Sequence, residues 1–145
     1  MKHETWLAAA KAISEDSKCV SMKVGCILVK CDRVIATGIN GTPSGYTNCC
    51  DKFEGWSSDH REWSLKYEIH AELNALIHCT TSTKGSIAYI THSPCFNCLK
   101  HLAGAGVVEI HFIEKYRRMT ELELVELIEF CTVMNIKLVH YPEDA

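Results

Sequence analysis

The sequence predicts an α/β fold whose central sheet mixes antiparallel and parallel strands. Two β-rich runs, residues 24–30 and 33–39, are separated only by Cys31-Asp32, which indicates a hairpin and therefore an antiparallel pair. From residue 87 onward, strand-like and helix-like segments alternate, a pattern that favours right-handed crossovers between parallel strands. Together these patterns predict five strands with helices between them.

The first half of the chain begins with a predicted helix. Residues 5–17 carry apolar side chains at helical spacing, with Thr5 as a candidate N-cap. The two hairpin strands that follow are almost continuously apolar, which predicts burial on both faces. Residues 40–63 are rich in glycine and polar side chains and predict a long loop that either binds a ligand or is held down by one.

The second half supplies the remaining helices and strands. A helical pattern covers residues 65–79 and includes His70–His78, whose first turn is expected to present functional side chains. After it the sequence predicts, in chain order, a strand at 87–91, a helix at 96–104, a strand at 107–113, a helix at 120–131 and a strand at 137–141.

The composition excludes several classes of protein. With 145 residues and 47% hydrophobic content, the chain is expected to form one domain, residues 1–145. A net charge of −3 argues against a nucleic-acid partner. No apolar run approaches the roughly 20 residues of a membrane span. Nine cysteines without a signal peptide favour metal ligands and reduced thiols over disulfides, so a cytoplasmic protein is expected, in the host cytoplasm if the source is viral.

Two short motifs predict a zinc site with an open coordination position. They are His70-Ala71-Glu72 and Pro94-Cys95-Phe96-Asn97-Cys98. An imidazole and two thiolates suit Zn²⁺, and three protein ligands leave the fourth tetrahedral position for water. Glu72 lies two residues after the histidine, so its carboxylate can move protons beside the metal without binding it. The second motif also opens a helix, where the dipole stabilises thiolates.

Each motif alone has an ordinary explanation. A Cys-x-x-Cys pair is often a redox site or a structural zinc knuckle, and a lone His-Ala-Glu is usually coincidence. The two occur here 25 residues apart and in the order H-x-E then P-C-x-x-C, which is the signature of zinc-dependent nucleobase deaminases. A redox motif would not need the histidine, so a catalytic zinc site is the preferred interpretation.

The longer runs Ile69–Ala75 and Ser93-Pro94-Cys95 resemble deoxycytidylate deaminases of the bacteriophage type. The resemblance implies a three-layer α/β/α cytidine-deaminase-like fold, with a five-stranded mixed sheet and helices on both faces. It implies hydrolytic deamination of dCMP to dUMP and ammonia, which supplies dUMP for thymidylate synthesis. It also implies a homohexamer, with Glu72 as the catalytic residue and His70, Cys95 and Cys98 as zinc ligands.

A second zinc is implied by the same resemblance. In phage deaminases, residues that match Cys19, Cys49, His60 and Glu68 hold a second ion. A closed four-ligand site is structural and would hold the long polar loop in place. Cys50 is an alternative to Cys49. Taken singly, each of these residues is an ordinary buried or exposed side chain.

The glycine-rich loop after the second strand resembles a family segment with two roles. Gly38-Ile39-Asn40-Gly41 matches the family's Gly-Tyr-Asn-Gly, whose asparagine contacts the substrate sugar. The backbone around Gly38, Ile39, Asn40 and Gly41 would serve an allosteric nucleotide: dCTP as activator or dTTP as inhibitor, each bound with Mg²⁺. Ile39 departs from the family tyrosine. The alternative interpretation is a connection that only needs residues with positive φ.

Further substrate contacts are expected after two strands. Tyr116 matches a family tyrosine near the substrate, and Arg117 with Arg118 could bind a phosphate or simply be solvated. The backbone at Ala71 and at Ser93, Pro94 and Cys95 is expected to hold the edge of the base. The rival hypotheses are a zinc deaminase acting on a free nucleoside, on guanine or on a tRNA adenosine, and a non-catalytic zinc scaffold.

Overall fold

A five-stranded mixed sheet forms the centre of the computed structural model, which describes residues 1–143. Its strands, in chain order, are β1 (Gly25–Lys30), β2 (Arg33–Ile39), β3 (Ile87–His92), β4 (Glu109–Glu114) and β5 (Lys137–His140). The strand order is β2-β1-β3-β4-β5. The strand β1 runs antiparallel to both of its neighbours, whereas β3, β4 and β5 are parallel. The mixed sheet predicted from the sequence is confirmed.

Helices cover both faces of this sheet. They are α1 (His3–Ser14), α2 (Cys49–Lys52), α3 (Ser58–Tyr67), α4 (Ala71–His78), α5 (Phe96–Gly104) and α6 (Glu121–Val133). On one face, Trp6 and Leu7 of α1 pack against Ile27 and Tyr89. On the other face, α4, α5 and α6 bury the larger core, which includes Ala75, Leu99, Leu102 and Leu127 with Leu28 and Ile110. The three layers expected from the resemblance are therefore present. Within the described residues, none of these helices has the length and apolar character needed to cross a membrane.

The hairpin between β1 and β2 forms where the sequence predicts it. Cys31 and Asp32 have φ values of 51° and 59°, the paired positive values of a two-residue hairpin turn whose twist suits the flanking strands. The expected burial of both strands on both faces holds for β1 but is wrong for β2. Because β2 is the edge strand of the sheet, most of its residues are exposed or half-buried.

The segment that the sequence assigns to a loop and one long helix contains three helices. Most of α3 falls inside the predicted loop, and the predicted helix at 65–79 is divided between α3 and α4. The division lies at residues 68–70, where Ile69 adopts an extended conformation and exchanges two backbone hydrogen bonds with Gly41, of 2.8 and 3.1 Å. Periodicity misses α3 because His60 and Trp63 are its only buried residues, which leaves no apolar stripe.

Gly38 allows α4 to lie directly on the edge of the sheet. A Cβ at this position would collide with the carbonyl oxygen of Ala71 and the backbone nitrogen of Ala75. Its φ is not in the left-handed region, so the residue is needed for close approach rather than for a turn. The helix α4 carries Glu72 and has His70 as its N-cap. The close contact at Gly38 therefore sets the distance between these two residues' helix and β2.

We expect Gly38→Ala to destabilise the protein by about 1–3 kcal/mol, because rigid backbone must move to admit the methyl group. Gly41→Ala is the matched control, since a Cβ there meets nothing within 4 Å. Urea unfolding of both variants gives the comparison. Equal unfolding free energies for the two variants would contradict the packing role of Gly38.

A buried histidine network lies under α1, on the side of the sheet away from the candidate site. His111 is fully buried, and its Nε2–H donates to Glu109 at 2.9 Å while its Nδ1 lies 3.2 Å from the Tyr141 hydroxyl. The His3 ring stacks on His111 with centroids 4.2 Å apart and planes at 19°. Nearly parallel rings direct their in-plane lone pairs side by side instead of toward one point, so this arrangement suits hydrogen bonding better than metal binding.

Burial of His111 makes the folding stability depend on pH. Burial lowers the pKa of His111 below its ordinary value of 6.5, although the hydrogen bond to Glu109 opposes that shift. Below about pH 6.5 the unfolded chain therefore binds a proton that the folded chain does not, and acidification favours unfolding by at most about 1.4 kcal/mol per pH unit. The melting temperature, measured from about pH 7.5 to 5.5, should fall more steeply for wild type than for His111→Gln. Parallel losses would contradict this assignment.

Candidate active site

The two sequence motifs meet at the starts of two helices. His70 is the N-cap of α4 and Cys95 is the N-cap of α5, while Cys98 lies in the first turn of α5. His70 Nδ1 lies 3.2 Å from Cys98 Sγ and 3.5 Å from Cys95 Sγ. Ligands on a tetrahedral zinc ion with ordinary Zn–N and Zn–S bonds are separated by about 3.6 Å. These three residues, here called the three-residue cluster, therefore fit a zinc ion.

The start of α5 favours negative charge on its sulfur atoms. The backbone N–H of Cys98 donates to Cys95 Sγ at 3.4 Å, and the helix dipole adds to this effect. Hydrogen bonds from the Cys98 thiol and from His70 lower the pKa of Cys95 to about 4, whereas the pKa of Cys98 is raised because its proton is shared with Cys95. Deprotonated thiolates are the form that binds metal.

Glu72 is buried beside the three-residue cluster. Glu72 is only 4% exposed, and burial raises the pKa of its carboxyl group above the ordinary 4.5. Its own backbone N–H, the charge of His70 and the nearby Cys98 side chain oppose this rise. Glu72 lies in the first turn of α4, two residues after the N-cap His70, and is not one of the three candidate ligands. A carboxyl group with a raised pKa beside a metal position is suited to accepting and returning a proton.

A second group of potential ligands, the four-residue cluster, consists of Cys19, Cys49, His60 and Glu68. His60 Nε2 is 3.0 Å from Cys49 Sγ, 4.0 Å from Cys19 Sγ and 3.7 Å from Glu68 Oε1. The side chains of His60 and Glu68 are each 3% exposed. Short separations among four buried donors are the geometry of a closed metal site.

Unpaired polar atoms in the four-residue cluster support the same conclusion. Within residues 1–143, both carboxylate oxygens of Glu68 and Nδ1 of His60 are buried without a hydrogen-bond partner. Burying a carboxylate without hydrogen bonds is costly, and a cation would remove that cost. Of the two neighbouring cysteines, Cys49 is buried in the cluster while Cys50 is exposed, so the geometry favours Cys49.

Both clusters border one cavity. Its volume is about 820 Å³, including the open space at its mouth, and its walls include His70, Glu72 and Cys95 together with Cys19, His60 and Glu68. A concave site with a few converging polar groups is typical of small-molecule binding. The remaining walls come from the 21–24 segment, Asn40, α3, and the residues that follow β3 and β4.

Besides Arg117, four of the predicted substrate-binding residues line this cavity: Asn40, Ala71, Ser93 and Tyr116. Much of their polar capacity is used within the protein. Asn40 Oδ1 accepts from Ser17 Oγ and Val24 N, and its Nδ2 donates to Met22 O, which leaves one amide hydrogen. The Ser93 hydroxyl accepts from the backbone N–H of Tyr116 at 2.8 Å.

The other predicted contacts separate into two groups. Arg117 lines the cavity, and its Nη2 donates to Ser21 O at 3.2 Å. Pro94 is fully buried behind the wall. Among residues 1–143, Gly38, Ile39 and Gly41 do not reach this cavity, so contacts of these three with an effector would have to lie elsewhere. Gly38 is occupied by packing against α4, and the positive-φ interpretation of this segment is wrong for it.

Sequence reasoning missed three features of the cavity. Arg61 lines it from α3, immediately after His60. Trp56 lies at the mouth with the Arg118 guanidinium 5.0 Å from its ring centroid. His92 lines the wall and contacts Glu114 at 2.9 Å. Local sequence could not reveal the contact of Arg61 with the cavity, because that contact depends on where α3 lies.

Comparison with known proteins places this chain in a family of zinc-binding deaminases. The family described as the cytidine and deoxycytidylate deaminase zinc-binding region matches residues 1–114, a stretch that contains the three-residue cluster, the four-residue cluster and Glu72. The chain belongs to this family.

Deoxycytidylate deaminases of bacteriophages are among the individual relatives. The chain is 36% identical over 153 aligned residues to the deoxycytidylate deaminase of Enterobacteria phage T4, covering 80% of this chain and 79% of the relative. It is 35% identical to that of Enterobacteria phage T2, covering 80% and 81%. Among solved structures, dCMP deaminase of cyanophage S-TIM5 in complex with dCMP and dUMP superposes with a TM-score of 0.78 and 34% identity, covering 97% of this chain and 98% of the other.

Proposed function

We propose that this chain catalyses the hydrolytic deamination of dCMP to dUMP and ammonia, the step that supplies dUMP for thymidylate synthesis. The observation that carries the proposal is the position of buried Glu72 beside His70, Cys95 and Cys98 at the wall of the cavity. Deoxycytidylate deaminases that share about a third of its residues over most of the chain support the choice of substrate.

In this mechanism Glu72 moves the protons. His70, Cys95 and Cys98 would hold Zn²⁺, which when bound supplies a Lewis acid that brings the pKa of a coordinated water to about 7. The Glu72 carboxylate accepts a proton from the attacking water and delivers it to N3 of the ring. As the new C4–O bond is completed and the C4–N bond breaks, Glu72 transfers the second water proton to the amine, which leaves as ammonia.

The remaining cavity residues bind and orient the nucleotide. The first turn of α4 has backbone N–H groups without helical acceptors, so the N–H of Ala71 is suited to the base edge, together with the backbone of Ser93, Pro94 and Cys95. The free amide hydrogen of Asn40 is suited to the deoxyribose hydroxyl. Tyr116 and Arg117, which follow β4 and line the cavity, are suited to contact the 5′-phosphate.

The four-residue cluster holds a second, structural Zn²⁺ in this proposal. Four protein ligands complete a tetrahedral site and leave no position for a reacting water. The buried, unpaired carboxylate of Glu68 and the exposure of Cys50 support Cys49 as the fourth ligand. The ion would join the 19–20 segment, α2, α3 and residue 68, which share only a small hydrophobic core.

A substrate panel tests the proposed function against its rivals. Zinc-loaded protein should deaminate dCMP, monitored by loss of the cytosine absorbance, with a kcat/KM well above that for deoxycytidine. Guanine and tRNA should show no turnover. Preferred turnover of the nucleoside, of guanine or of tRNA adenosine would move the chain to a rival deaminase, and no turnover of any of them would favour the zinc scaffold.

Regulation by nucleotides is a further part of the proposal. The effectors are dCTP for activation and dTTP for inhibition, each with Mg²⁺ to neutralise the triphosphate. Asn40 links the 38–41 segment to the four-residue cluster. Its Oδ1 accepts a hydrogen bond from the Ser17 hydroxyl, which in turn accepts one from the backbone N–H of Cys19. A shift of the 38–41 backbone would therefore reach both the cavity wall and the four-residue cluster, provided that each effector prefers one position of the loop.

We expect substrate saturation curves to be sigmoidal without effector and hyperbolic with dCTP and Mg²⁺. With dTTP and Mg²⁺ they should shift to higher dCMP concentration, since coupling of about 1–3 kcal/mol changes affinity roughly 5–150-fold. The measurement is initial rate against dCMP concentration on zinc-loaded protein. Superimposable curves under the three conditions would mean that the chain is an unregulated enzyme.

Self-association into a hexamer and a cytoplasmic location complete the proposal. Several large apolar side chains on α6 are solvent-exposed in the single chain, among them Leu122, Val125 and Ile128, and burial against other copies would remove them from water. Light scattering coupled to size-exclusion chromatography should give six times the chain mass. A monomeric mass at micromolar concentration would contradict the hexamer.

A further inference from the structure

Arg61 is a cavity arginine whose hydrogen-bonding capacity is unused within the described residues. Three arginines line the cavity: Arg61, Arg117 and Arg118. Arg117 donates to Ser21 O, and Arg118 stacks on Trp56. Within residues 1–143 the guanidinium of Arg61 has neither an ion pair nor a side-chain hydrogen bond, so all five of its N–H donors remain available to a ligand.

Arg61 lines the same cavity as the residues that follow β4. Burial is the main reason that the pKa of Tyr116 is raised, and the positive charge of Arg61 opposes that rise, as does the charge of Arg117. Arg61 and Arg117 therefore both line the cavity with the Tyr116 hydroxyl within reach of their charges. Two guanidinium groups that line one cavity form a natural binding position for a dianion.

The position of Arg61 depends on the four-residue cluster. His60 precedes Arg61 in the first turn of α3, where Ser57 accepts from the backbone N–H groups of both residues at 3.0 and 2.9 Å. Glu68 is the C-cap of the same helix. The cluster therefore contacts α3 at both ends, with one of its ligand residues adjacent to Arg61.

Outside the four-residue cluster, α3 is held mainly by contacts of Trp63 and Tyr67 with the rings of Tyr46 and Phe53. Neither of the two large hydrophobic clusters of the described chain contains a residue of α2 or α3. The small hydrophobic cluster under α3 has three buried members, Trp63, Cys19 and Cys49, and two of these are potential metal ligands. Interactions at the four-residue cluster, together with these aromatic contacts, therefore set where α3 and Arg61 lie relative to the cavity.

We propose that Arg61 binds the 5′-phosphate of the nucleotide and that the four-residue cluster positions it to do so. The inference rests on the proposed function, because it assumes a substrate that carries a phosphate. It makes Arg61 the residue that distinguishes a nucleoside monophosphate from a free nucleoside. His60 and Glu68 act as positioning residues in this proposal, since their ligand atoms converge within the four-residue cluster.

The first experiment compares Arg61→Gln with Arg33→Gln, an exposed arginine at the start of β2 that serves as the matched control. Calorimetry with dUMP and with deoxyuridine measures binding without turnover. Arg61→Gln should weaken dUMP binding roughly 10–100-fold, as expected for loss of a charge-assisted bidentate contact, and leave deoxyuridine binding unchanged. The KM for dCMP should rise in parallel. Equal effects on both ligands, or none on dUMP, would overturn the role of Arg61.

The second experiment tests positioning by a double-mutant cycle. Glu68→Gln removes one ligand of the four-residue cluster conservatively, and metal analysis reports whether the second ion is lost. The variant should weaken dUMP binding but not deoxyuridine binding, and it should add little to Arg61→Gln. If Glu68→Gln affects both ligands equally, or if its effect on dUMP adds fully to that of Arg61→Gln, the positioning role is rejected. Cys49→Ser repeats the test if Glu68→Gln retains its metal.

Failure of this inference can be distinguished from failure of the proposed function. If wild type deaminates dCMP and Arg61→Gln binds dUMP normally, the activity stands and the inference falls. If wild type binds dUMP through Arg61 but deaminates no cytosine nucleotide, the phosphate site stands and the proposed activity falls.

Discussion

Replacing Glu72 by alanine should leave the zinc content of the three-residue cluster unchanged while lowering kcat by at least about 10³-fold, in the upper part of the range for general acid–base groups. Glu72 has no place among the three donors that converge at His70, Cys95 and Cys98, so its loss removes no ligand. Its carboxyl group is nevertheless buried against Cys98, the position from which a proton can pass between water and the pyrimidine ring.

The experiment requires metal analysis, circular dichroism and initial rates on the same preparation. Glu72→Gln keeps the shape of the side chain and should be almost as inactive, which separates proton transfer from packing. Glu62→Gln, an exposed change on α3, is the control for handling and should match wild type. If zinc is lost together with activity in Glu72→Ala, the residue is a ligand and the mechanism is wrong.

The second large effect concerns the four-residue cluster. Wild-type protein should contain two zinc ions per chain, and Cys49→Ser should contain one. The variant should melt roughly 10 °C lower, because opening a buried charged cluster costs about 3 kcal/mol or more in a chain of this length. The ion at the three-residue cluster should remain, since none of its ligands is altered.

Cys50→Ser is the matched control for this variant. Its sulfur is exposed, next in sequence to Cys49, and outside the four-residue cluster, so the variant should hold two ions and melt like wild type. Freshly purified wild type with one zinc per chain would contradict a second metal site. Loss of the second ion from Cys50→Ser instead of Cys49→Ser would show that the alternative ligand is the correct one.

The sheet and its alternation of elements could be predicted because they rest on strong local patterns. The hairpin needed only two residues between two apolar runs, and the helix at 96–104 coincides with α5. The second motif could be placed at a helix start because Pro94 and two cysteines suit that position. None of these predictions required contacts between distant parts of the chain.

The helix α3 could not be predicted in the same way because its burial does not follow an apolar stripe. Its inward-facing residues are Trp63 and His60. Histidine is polar, so its burial can be predicted only when its partners in space are known. The four-residue cluster was accessible only through resemblance, since Cys19 and Glu68 are almost fifty residues apart in the sequence. The contact of Arg61 with the cavity was missed for the same reason, because it depends on where α3 lies.

Long-range packing accounts for the remaining differences. The role of Gly38 depends on how closely α4 approaches β2, which no property of the loop sequence reveals. Asn40 was expected to face the substrate, and the structure shows that its amide mainly ties the 17–24 segment together. The stacked His3 and His111 rings join residues from α1 and β4, which no local pattern connects.

The most direct test of the proposed activity is deamination of dCMP in water enriched in ¹⁸O, followed by mass spectrometry of the product and assay of ammonia. Hydrolysis at C4 predicts dUMP that carries one ¹⁸O on the base and an equimolar amount of ammonia, formed by zinc-loaded wild type and not by Glu72→Ala. Absence of dUMP, dUMP without the label, or equal product from Glu72→Ala would contradict the account.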